Sequence, residues 1–173
     1  MSLRLVDPGV AEASEAGLSL LDRRAVTETQ MREYLAEKGF GAAAVEDTVA
    51  AFAARGWLDD RDYVSEFLRE RAYKPGMSRA KLVADMEKRG LDVESVASGL
   101  ADLDDADPEW ETSNARALLE GKLDSARRGL NLDDYNDRQK LRAKLWRYGA
   151  SRGFSSGVVT SVVGELLNVL AED

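Results

Sequence analysis

Apolar residues recur three times along this chain at matching distances from a glycine. Positions eight and four before the glycine, and one, six, ten and thirteen after it, are apolar in the first two copies. In the third copy, only the position four before the glycine differs, where Gly149 replaces an apolar residue. The copies are Met31, Leu35, Phe40, Val45, Val49 and Phe52 around Gly39; Leu82, Met86, Leu91, Val96, Leu100 and Leu103 around Gly90; and Leu145, Phe154, Val159, Val163 and Leu166 around Gly153.

These offsets predict two helices joined at each glycine. The apolar positions before the glycine share one face of a first helix, and those after it share one face of a second. The glycine is expected at positive φ just after a helix, because that conformation costs other residues about 1 to 2 kcal/mol. Gly39, Gly90 and Gly153 are therefore predicted to be helix-end glycines, and the apolar residues are predicted to form the cores.

A further helix precedes each pair. Thr27 with Gln30 forms a capping-box pattern, and the pair Asp59 and Asp60 can cap a helix that ends before Pro75. Sequence patterns typical of strands are almost absent. We predict an all-α fold of three tandem three-helix repeats that resemble helix-turn-helix units, about nine helices in all. The predicted divisions are an N-terminal segment at 1–16, repeats at 17–58, 59–103 and 112–170, and an acidic linker at 104–111.

Several short motifs occur in an order that is similar to one family. They are Leu20-Leu21-Asp22-Arg23-Arg24, Thr27-Glu28, Lys38-Gly39-Phe40, Gly56-Trp57-Leu58-Asp59-Asp60, Arg69-Glu70-Arg71, Pro75-Gly76, Lys88-Arg89-Gly90-Leu91 and Arg152-Gly153-Phe154. In this order and spacing, the chain resembles the RecX family, the regulators of the bacterial RecA recombinase, over about residues 17 to 170.

The resemblance implies a function and a partner. It implies a non-catalytic protein without cofactor, elongated and curved, that lodges in the groove of the RecA filament on DNA. There it would restrain filament growth, ATP hydrolysis, strand exchange and the co-protease activity that triggers the SOS response. Weak binding to single- or double-stranded DNA and a monomeric state are also expected.

Composition narrows the chemistry. The 173 residues include no cysteine and no histidine, which removes disulfides, thiol nucleophiles and histidine-based triads, and leaves carboxylates as the metal ligands to consider. We predict no metal site. No segment approaches the ~20 apolar residues of a membrane span, and the N-terminus lacks a signal pattern. The sequence therefore predicts a cytosolic protein without a membrane partner.

The net charge of −8 is unevenly distributed, which matters for a protein expected near DNA. Residues 92–111 contain eight acidic residues and no basic one, so this run alone accounts for the total. Residues 112–152 contain ten Lys and Arg against five Asp and Glu. The acidic run is interpreted as a solvated linker in preference to a partner-binding element.

The basic face of repeat three is the main candidate contact. Lys140, Lys144 and Arg147 fall on one helical stripe, and Arg152 follows them. A second, weaker cluster comprises Arg69, Arg71 and Lys74. Both clusters are candidates for binding phosphates or an acidic protein surface. Each is also compatible with an ordinary solvated helix face.

Two other functional classes fit parts of the sequence. Helix pairs joined at a glycine also describe helix-turn-helix proteins that bind DNA without RecA. Against this, Glu46 and Asp47 open the helix that would face the phosphates. Paired acids such as Asp104 and Asp105 could serve an enzyme, but adjacent residues do not converge on one point, so we predict that the chain is not an enzyme.

Overall fold

The computed structural model describes residues 8–172, which form nine α-helices and contain no β-strand. This confirms the prediction of an all-α chain. The helices are α1 (Pro8–Leu21), α2 (Glu28–Glu37), α3 (Ala42–Ala54), α4 (Asp60–Arg71), α5 (Arg79–Glu87), α6 (Val93–Ala106), α7 (Trp110–Arg127), α8 (Tyr135–Ser151) and α9 (Ser156–Glu172). Within that part of the chain, no helix is both long and apolar enough to span a bilayer.

The chain divides into two compact units, and the boundaries between them fall within α4, α5 and α6. Unit 1 contains the chain up to Glu66 together with Met86–Gly99, and its core lies among α1, α2 and α3. Met31 and Leu35 are fully buried there because they share the inward face of α2. The buried residues of this core are Ala13, Leu20, Val26, Met31, Leu35, Ala44, Val45, Val49, Phe52 and Leu58.

Unit 2 contains Phe67–Asp85 and the chain from Leu100 onward. One of its cores lies among α7, α8 and α9, whose apolar faces meet. Gly149 is buried in α8, where an added Cβ would lie only 3.0 Å from Val159 Cγ2. In the third copy of the repeat, α9 therefore approaches α8 so closely that a side chain at position 149 would require Val159 to shift.

The three repeat glycines have the predicted conformation. Gly39, Gly90 and Gly153 have φ values of 89°, 75° and 86°. Gly39 and Gly153 follow α2 and α8 after one intervening residue, and Gly90 follows α5 after two. After each glycine, the next amide donates to a carbonyl five residues back, from Phe40 to Leu35 at 3.3 Å in the first case. This is the closing bond of a Schellman motif. The equivalent bonds are Leu91 to Met86 and Phe154 to Gly149, both 3.4 Å.

The predicted core residues are buried with two partial exceptions. All the apolar positions named for the three copies are buried except Phe40 and Leu103, which are half-buried. The period of the apolar pattern thus identifies the inward faces of these helices correctly.

A buried hydroxyl connects two distant segments in unit 1. Thr27 Oγ1 accepts the Gln30 amide at 3.1 Å, and the Thr27 amide donates to Gln30 Oε1 at 3.3 Å, which confirms the capping box. The same hydroxyl donates to the Arg89 carbonyl at 2.6 Å, just before Gly90. Thr29 Oγ1 donates to the Gly90 carbonyl at 3.0 Å. The start of α2 is therefore bonded to the turn that follows α5.

Asp59 and Asp60, both predicted to cap α4, have different roles. Asp59 Oδ1 accepts the Arg61 and Asp62 amides at 2.9 and 3.1 Å, so Asp59 caps α4 as predicted. Asp60 instead accepts the Glu28 amide at 2.9 Å, across 32 residues. Asp60 thus satisfies a backbone donor at the start of α2, which local sequence reasoning did not anticipate.

Unit 2 contains the same arrangement with different side chains. Ser78 Oγ accepts the Lys81 amide at 3.3 Å as the cap of α5 and donates to the Arg152 carbonyl at 3.0 Å, just before Gly153. The Arg79 amide donates to Glu111 Oε1 at 2.8 Å, again across 32 residues. Thr27 and Ser78 are both fully buried. Each unit therefore holds one hydroxyl-capped junction, in which the start of α2 or α5 meets a glycine turn.

The acidic run 92–111 is largely helical rather than an extended linker. It lies mostly in α6, and α7 begins after only Asp107, Pro108 and Glu109. Asp104 accepts bonds from the Arg79 guanidinium and, at 3.0 Å, from Trp110 Nε1. The interpretation as a solvated linker is wrong for Asp104 and Glu111, because both bind Arg79 within unit 2.

Candidate functional site: the basic surface of α7 and α8

The candidate site lies on α8 and the facing part of α7. Asp134 caps α8 by accepting the Asp137 amide at 2.9 Å, and Leu141 and Leu145 anchor one face of the helix in the core of unit 2. The burial of these leucines fixes the rotation of the helix. The cationic stripe of Lys140, Lys144 and Arg147 is consequently exposed, as its spacing predicts.

The three cations of this stripe differ in their partners. Lys140 Nζ pairs with Asp137 Oδ1 at 2.7 Å, and this bond raises the pKa of Lys140. Lys144 Nζ donates to the Ala126 carbonyl at 3.1 Å, near the end of α7, where a cation is favoured by the helix dipole. Arg147 Nε donates to the Ala143 carbonyl at 3.2 Å. Only Lys140 of the three is neutralised by an acidic side chain within the described residues.

Two further cations lie close to the aromatic ring of Tyr148. The Lys122 ammonium of α7 lies 5.3 Å from the centroid of the Tyr148 ring, and the Arg152 guanidinium lies 5.1 Å from it. Arg152 also donates to the Tyr148 hydroxyl at 3.3 Å. Both cations are within the range of a favourable cation–π contact. Lys144 is one turn from Tyr148 on α8, so the two residues lie on the same face of that helix.

We call Lys122, Lys144, Tyr148 and Arg152 the Tyr148 cluster. Its three cations form no ion pair within residues 8–172, although Lys144 and Arg152 have hydrogen-bond partners. Sequence reasoning identified Lys144 and Arg152 but did not identify Lys122 or treat Tyr148 as part of a contact. Lys122 has no periodic relation to the α8 stripe, because only the packing of α7 against α8 places it beside Tyr148.

The second predicted cluster does not form one outward-facing row. Arg69 and Lys74 are exposed, whereas Arg71 is half-buried and its guanidinium lies 4.8 Å from the Phe67 ring centroid. Arg71 is thus held against an aromatic ring of its own helix. The role of Arg69, Arg71 and Lys74 in partner binding stays a prediction, and we place the stronger candidate site at the Tyr148 cluster.

Comparisons with known proteins agree with the fold and with the sequence pattern. Residues 13–51 match the family model described as RecX, first three-helix domain. The chain is similar to the regulatory protein RecX of Mycobacterium leprae, with 31% identity covering 90% of this chain and 88% of that protein. It is also similar to the regulatory protein RecX of Mycolicibacterium smegmatis, with 30% identity covering 94% and 85%.

The fold is also that of a solved structure. The crystal structure of RecX from Lactobacillus salivarius superimposes with a TM-score of 0.76, covering 93% of this chain and 97% of that one at 15% sequence identity. At this identity, the likeness concerns the fold. The order of motifs, the three-helix domain and the identity over nearly the full length lead to one conclusion: the chain belongs to the RecX family of regulatory proteins.

Proposed function

We propose that this protein binds the filament that RecA forms on DNA and inhibits its ATP hydrolysis, strand exchange and co-protease activity. Membership of the RecX family carries the proposal, because the relatives are named as regulatory proteins. The protein would act without a cofactor and without catalysis of its own. Binding within a filament would interrupt many recombinase subunits at once.

The Tyr148 cluster is the surface that we assign to this contact. The whole chain carries a net charge of −8, so a polyanionic filament would repel most of it. The exposed or half-exposed cations of α7 and α8 oppose that repulsion locally, where no carboxylate pairs with Lys122, Lys144 or Arg152 among the described residues. Charge complementarity of this kind sets orientation and association rate.

The experiment is DNA-dependent ATP hydrolysis by the RecA of the same organism, with and without this protein. We expect inhibition at ratios well below one molecule per recombinase subunit, since a few bound molecules stop an entire filament. Inhibition that appears only at stoichiometric amounts would argue against interruption of the filament. The protein alone is expected to hydrolyse no nucleotide.

Charge reversal tests the assigned surface. The triple variant Lys122→Glu, Lys144→Glu and Arg152→Glu should bind the filament at least about tenfold more weakly, because three attractions become repulsions. Lys140→Glu alone should have a smaller effect, since Asp137 already neutralises Lys140.

A matched control variant makes the same change in net charge at three cations outside the Tyr148 cluster. Arg24, Lys81 and Lys88 are exposed cations outside the Tyr148 cluster, and their replacement by Glu should leave filament affinity within about twofold. Helicity and melting temperature verify that both triple variants are folded. If the control weakens binding as much as the cluster variant, general charge rather than the Tyr148 cluster is responsible.

The second functional candidate is direct DNA binding without RecA, as in helix-turn-helix proteins. The exposed Glu46 and Asp47 in the first turns of α3 disfavour it, because they would face phosphates. Titration against bare duplex DNA separates the two functions. Tight, salt-dependent binding to duplex DNA with no effect on RecA would support this candidate instead.

A further inference from the structure

The glycine turns of the second and third repeats are each contacted by the capped start of another helix. In unit 1, the Thr27 hydroxyl at the cap of α2 reaches the carbonyl before Gly90. In unit 2, the Ser78 hydroxyl at the cap of α5 reaches the carbonyl before Gly153. In both units, the carbonyl before the glycine therefore accepts a hydrogen bond from the Ser or Thr that caps another helix.

The fit at both turns depends on the absence of a side chain. A Cβ built at Gly90 would lie 2.4 Å from Thr29 Cβ, and one built at Gly153 would lie 2.8 Å from Ser78 Oγ. Real Cβ atoms do not approach other atoms so closely, so each helix start lies directly against its glycine. The glycine supplies both the positive φ and the room for the arriving helix.

The equivalent turn of the first repeat is not contacted by a helix start from residues 8–172. Gly39 has the same positive φ, but a Cβ built there meets no atom within 4 Å. Lys38 and Gly39 are exposed, and no donor from residues 8–172 bonds the Lys38 carbonyl, which corresponds to the carbonyls of Arg89 and Arg152. The first repeat thus presents the receiving half of a junction whose other half is a helix start.

A second copy of this chain is a poor occupant. The remaining helix in the position of α2 and α5 is α8, and its cap is Asp134. An ionised carboxylate only accepts hydrogen bonds, so the Asp134 side chain cannot donate to a carbonyl as the hydroxyls of Thr27 and Ser78 do. Head-to-tail continuation of the repeats is therefore unfavourable at this point.

We propose that the Lys38–Gly39 turn binds the N-terminus of a helix from a partner protein, and that this helix is capped by Ser or Thr. The hydroxyl would donate to the Lys38 carbonyl, as Thr27 donates to Arg89. The Lys38 ammonium, which lies 5.5 Å from the Tyr34 ring centroid, favours an acidic residue in the first turn of the arriving helix. The inference rests on the proposed function, because the RecA filament is the partner tested.

The test compares two glycines of the same unit. Gly56 also has positive φ, at 70°, is exposed and has no neighbour within 4 Å of a built Cβ, but it ends α3 and is not the equivalent of Gly90. Asparagine tolerates positive φ better than other residues with side chains. Gly39→Asn and Gly56→Asn should therefore be similarly stable, which thermal unfolding will check.

Binding to RecA filaments on single-stranded DNA gives the result. We expect about tenfold weaker binding for Gly39→Asn, because its side chain obstructs the turn, and a change within about twofold for Gly56→Asn. Equal affinities of the two variants, with the wild type binding tightly, would overturn this inference and leave the proposed function standing. Failure of the wild type to bind the filament would overturn the proposed function and this inference with it.

A second experiment identifies what contacts the turn and leaves Gly39 unchanged, so it adds no backbone strain. A photo-crosslinking residue replaces Lys38. With the filament bound, the crosslinked peptide should contain the first turn of a partner helix directly after a Ser or Thr. Crosslinks confined to residues 1–7 of this chain, or to a second copy, would overturn the proposal even if Gly39→Asn failed to fold.

Discussion

The hydroxyl-capped junctions of the two units share their backbone bonds and differ in their charges. In unit 1, the first residue of α2 is the acidic Glu28, and its amide is bonded by another acid, Asp60. In unit 2, the first residue of α5 is the basic Arg79, and the acids Asp104 and Glu111 surround it. The geometry is maintained in both cases because the backbone donors require acceptors, whichever side chains provide them.

The charges give the two junctions opposite electrostatics. Burial, together with the nearby charges of Glu28 and Asp92, raises the pKa of Asp60 despite its bond to the Glu28 amide and the charge of Arg32. Burial also acts to raise the pKa of Asp104, but the bonds from Trp110 and Arg79 outweigh it and the pKa is lowered. Unit 1 therefore holds an acid in an unfavourable position, whereas unit 2 holds one in a favourable position.

The largest expected effect comes from filling the glycine turns. Gly90→Ala should destabilise the protein by about 2 to 5 kcal/mol, as the sum of positive-φ strain and the displacement of Thr29. Gly39→Ala should cost about 1 to 2 kcal/mol, since only the strain applies. Gly153→Ala should fall between them, because its added Cβ would lie 2.8 Å from Ser78 Oγ, a less severe clash than the 2.4 Å from Thr29 Cβ at Gly90. Urea unfolding measures all three, and equal losses would show that the turns are not occupied differently.

The second effect concerns the buried hydroxyls. Thr27→Val and Ser78→Ala should each cost about 1 to 3 kcal/mol, because each change removes a helix cap and leaves a carbonyl without its donor. Thr29→Val is the control and should cost less than about 1 kcal/mol, since Thr29 makes one partly exposed bond. If Thr27→Val and Ser78→Ala are no more harmful than Thr29→Val, the buried hydroxyls do not hold the junctions together.

The smallest effect is the response to acid, and it should have opposite sign in the two units. Asp104 has a lowered pKa, so its stabilisation is present above the ordinary value of 3.8 and is lost as pH falls through the folded-state pKa. Asp60 has a raised pKa, so its native state takes up a proton more readily than the unfolded chain and gains stability as pH falls toward 3.8.

Single substitutions reveal these signs. Asp104→Asn should flatten the loss of stability below pH 3.8, whereas Asp60→Asn should make stability fall more steeply with pH in the range just above 3.8. Unfolding free energies measured at several pH values between neutrality and that region would check both slopes. A steeper acid limb for Asp104→Asn would contradict the assignment of its bonds to Arg79 and Trp110.

The helices, their inward faces and their glycine ends could be predicted from the sequence. Leu82 and Met86 are spaced by one helical turn and are both fully buried, and Thr27 with Gln30 forms the expected capping box. These features depend on residues within about one or two turns of each other, and so a local pattern contains them. The family also follows from such patterns, because its motifs are short and ordered along the chain.

The contacts across long sequence separations could not be predicted. Asp60 looked like a second cap, but it bonds the Glu28 amide, and Asp104 looked solvated, but it binds Arg79. No sequence pattern indicates a role for Lys122, because only the packing of α7 places it beside Tyr148. Side-chain partners of this kind depend on which helix faces meet, and the period of one helix does not contain that information.

The sequence by itself determined the nine helices of residues 8–172, the three repeat glycine turns and membership of the RecX family, since helical period, capping and left-handed glycine conformation are local consequences of residue type. Only the tertiary structure decided that Thr27 meets Arg89, that Ser78 meets Arg152 and that Lys122 joins the Tyr148 cluster. The reason is that a hydrogen bond or a cation–π contact requires atoms within a few ångströms, and packing brings together residues that are far apart in the chain.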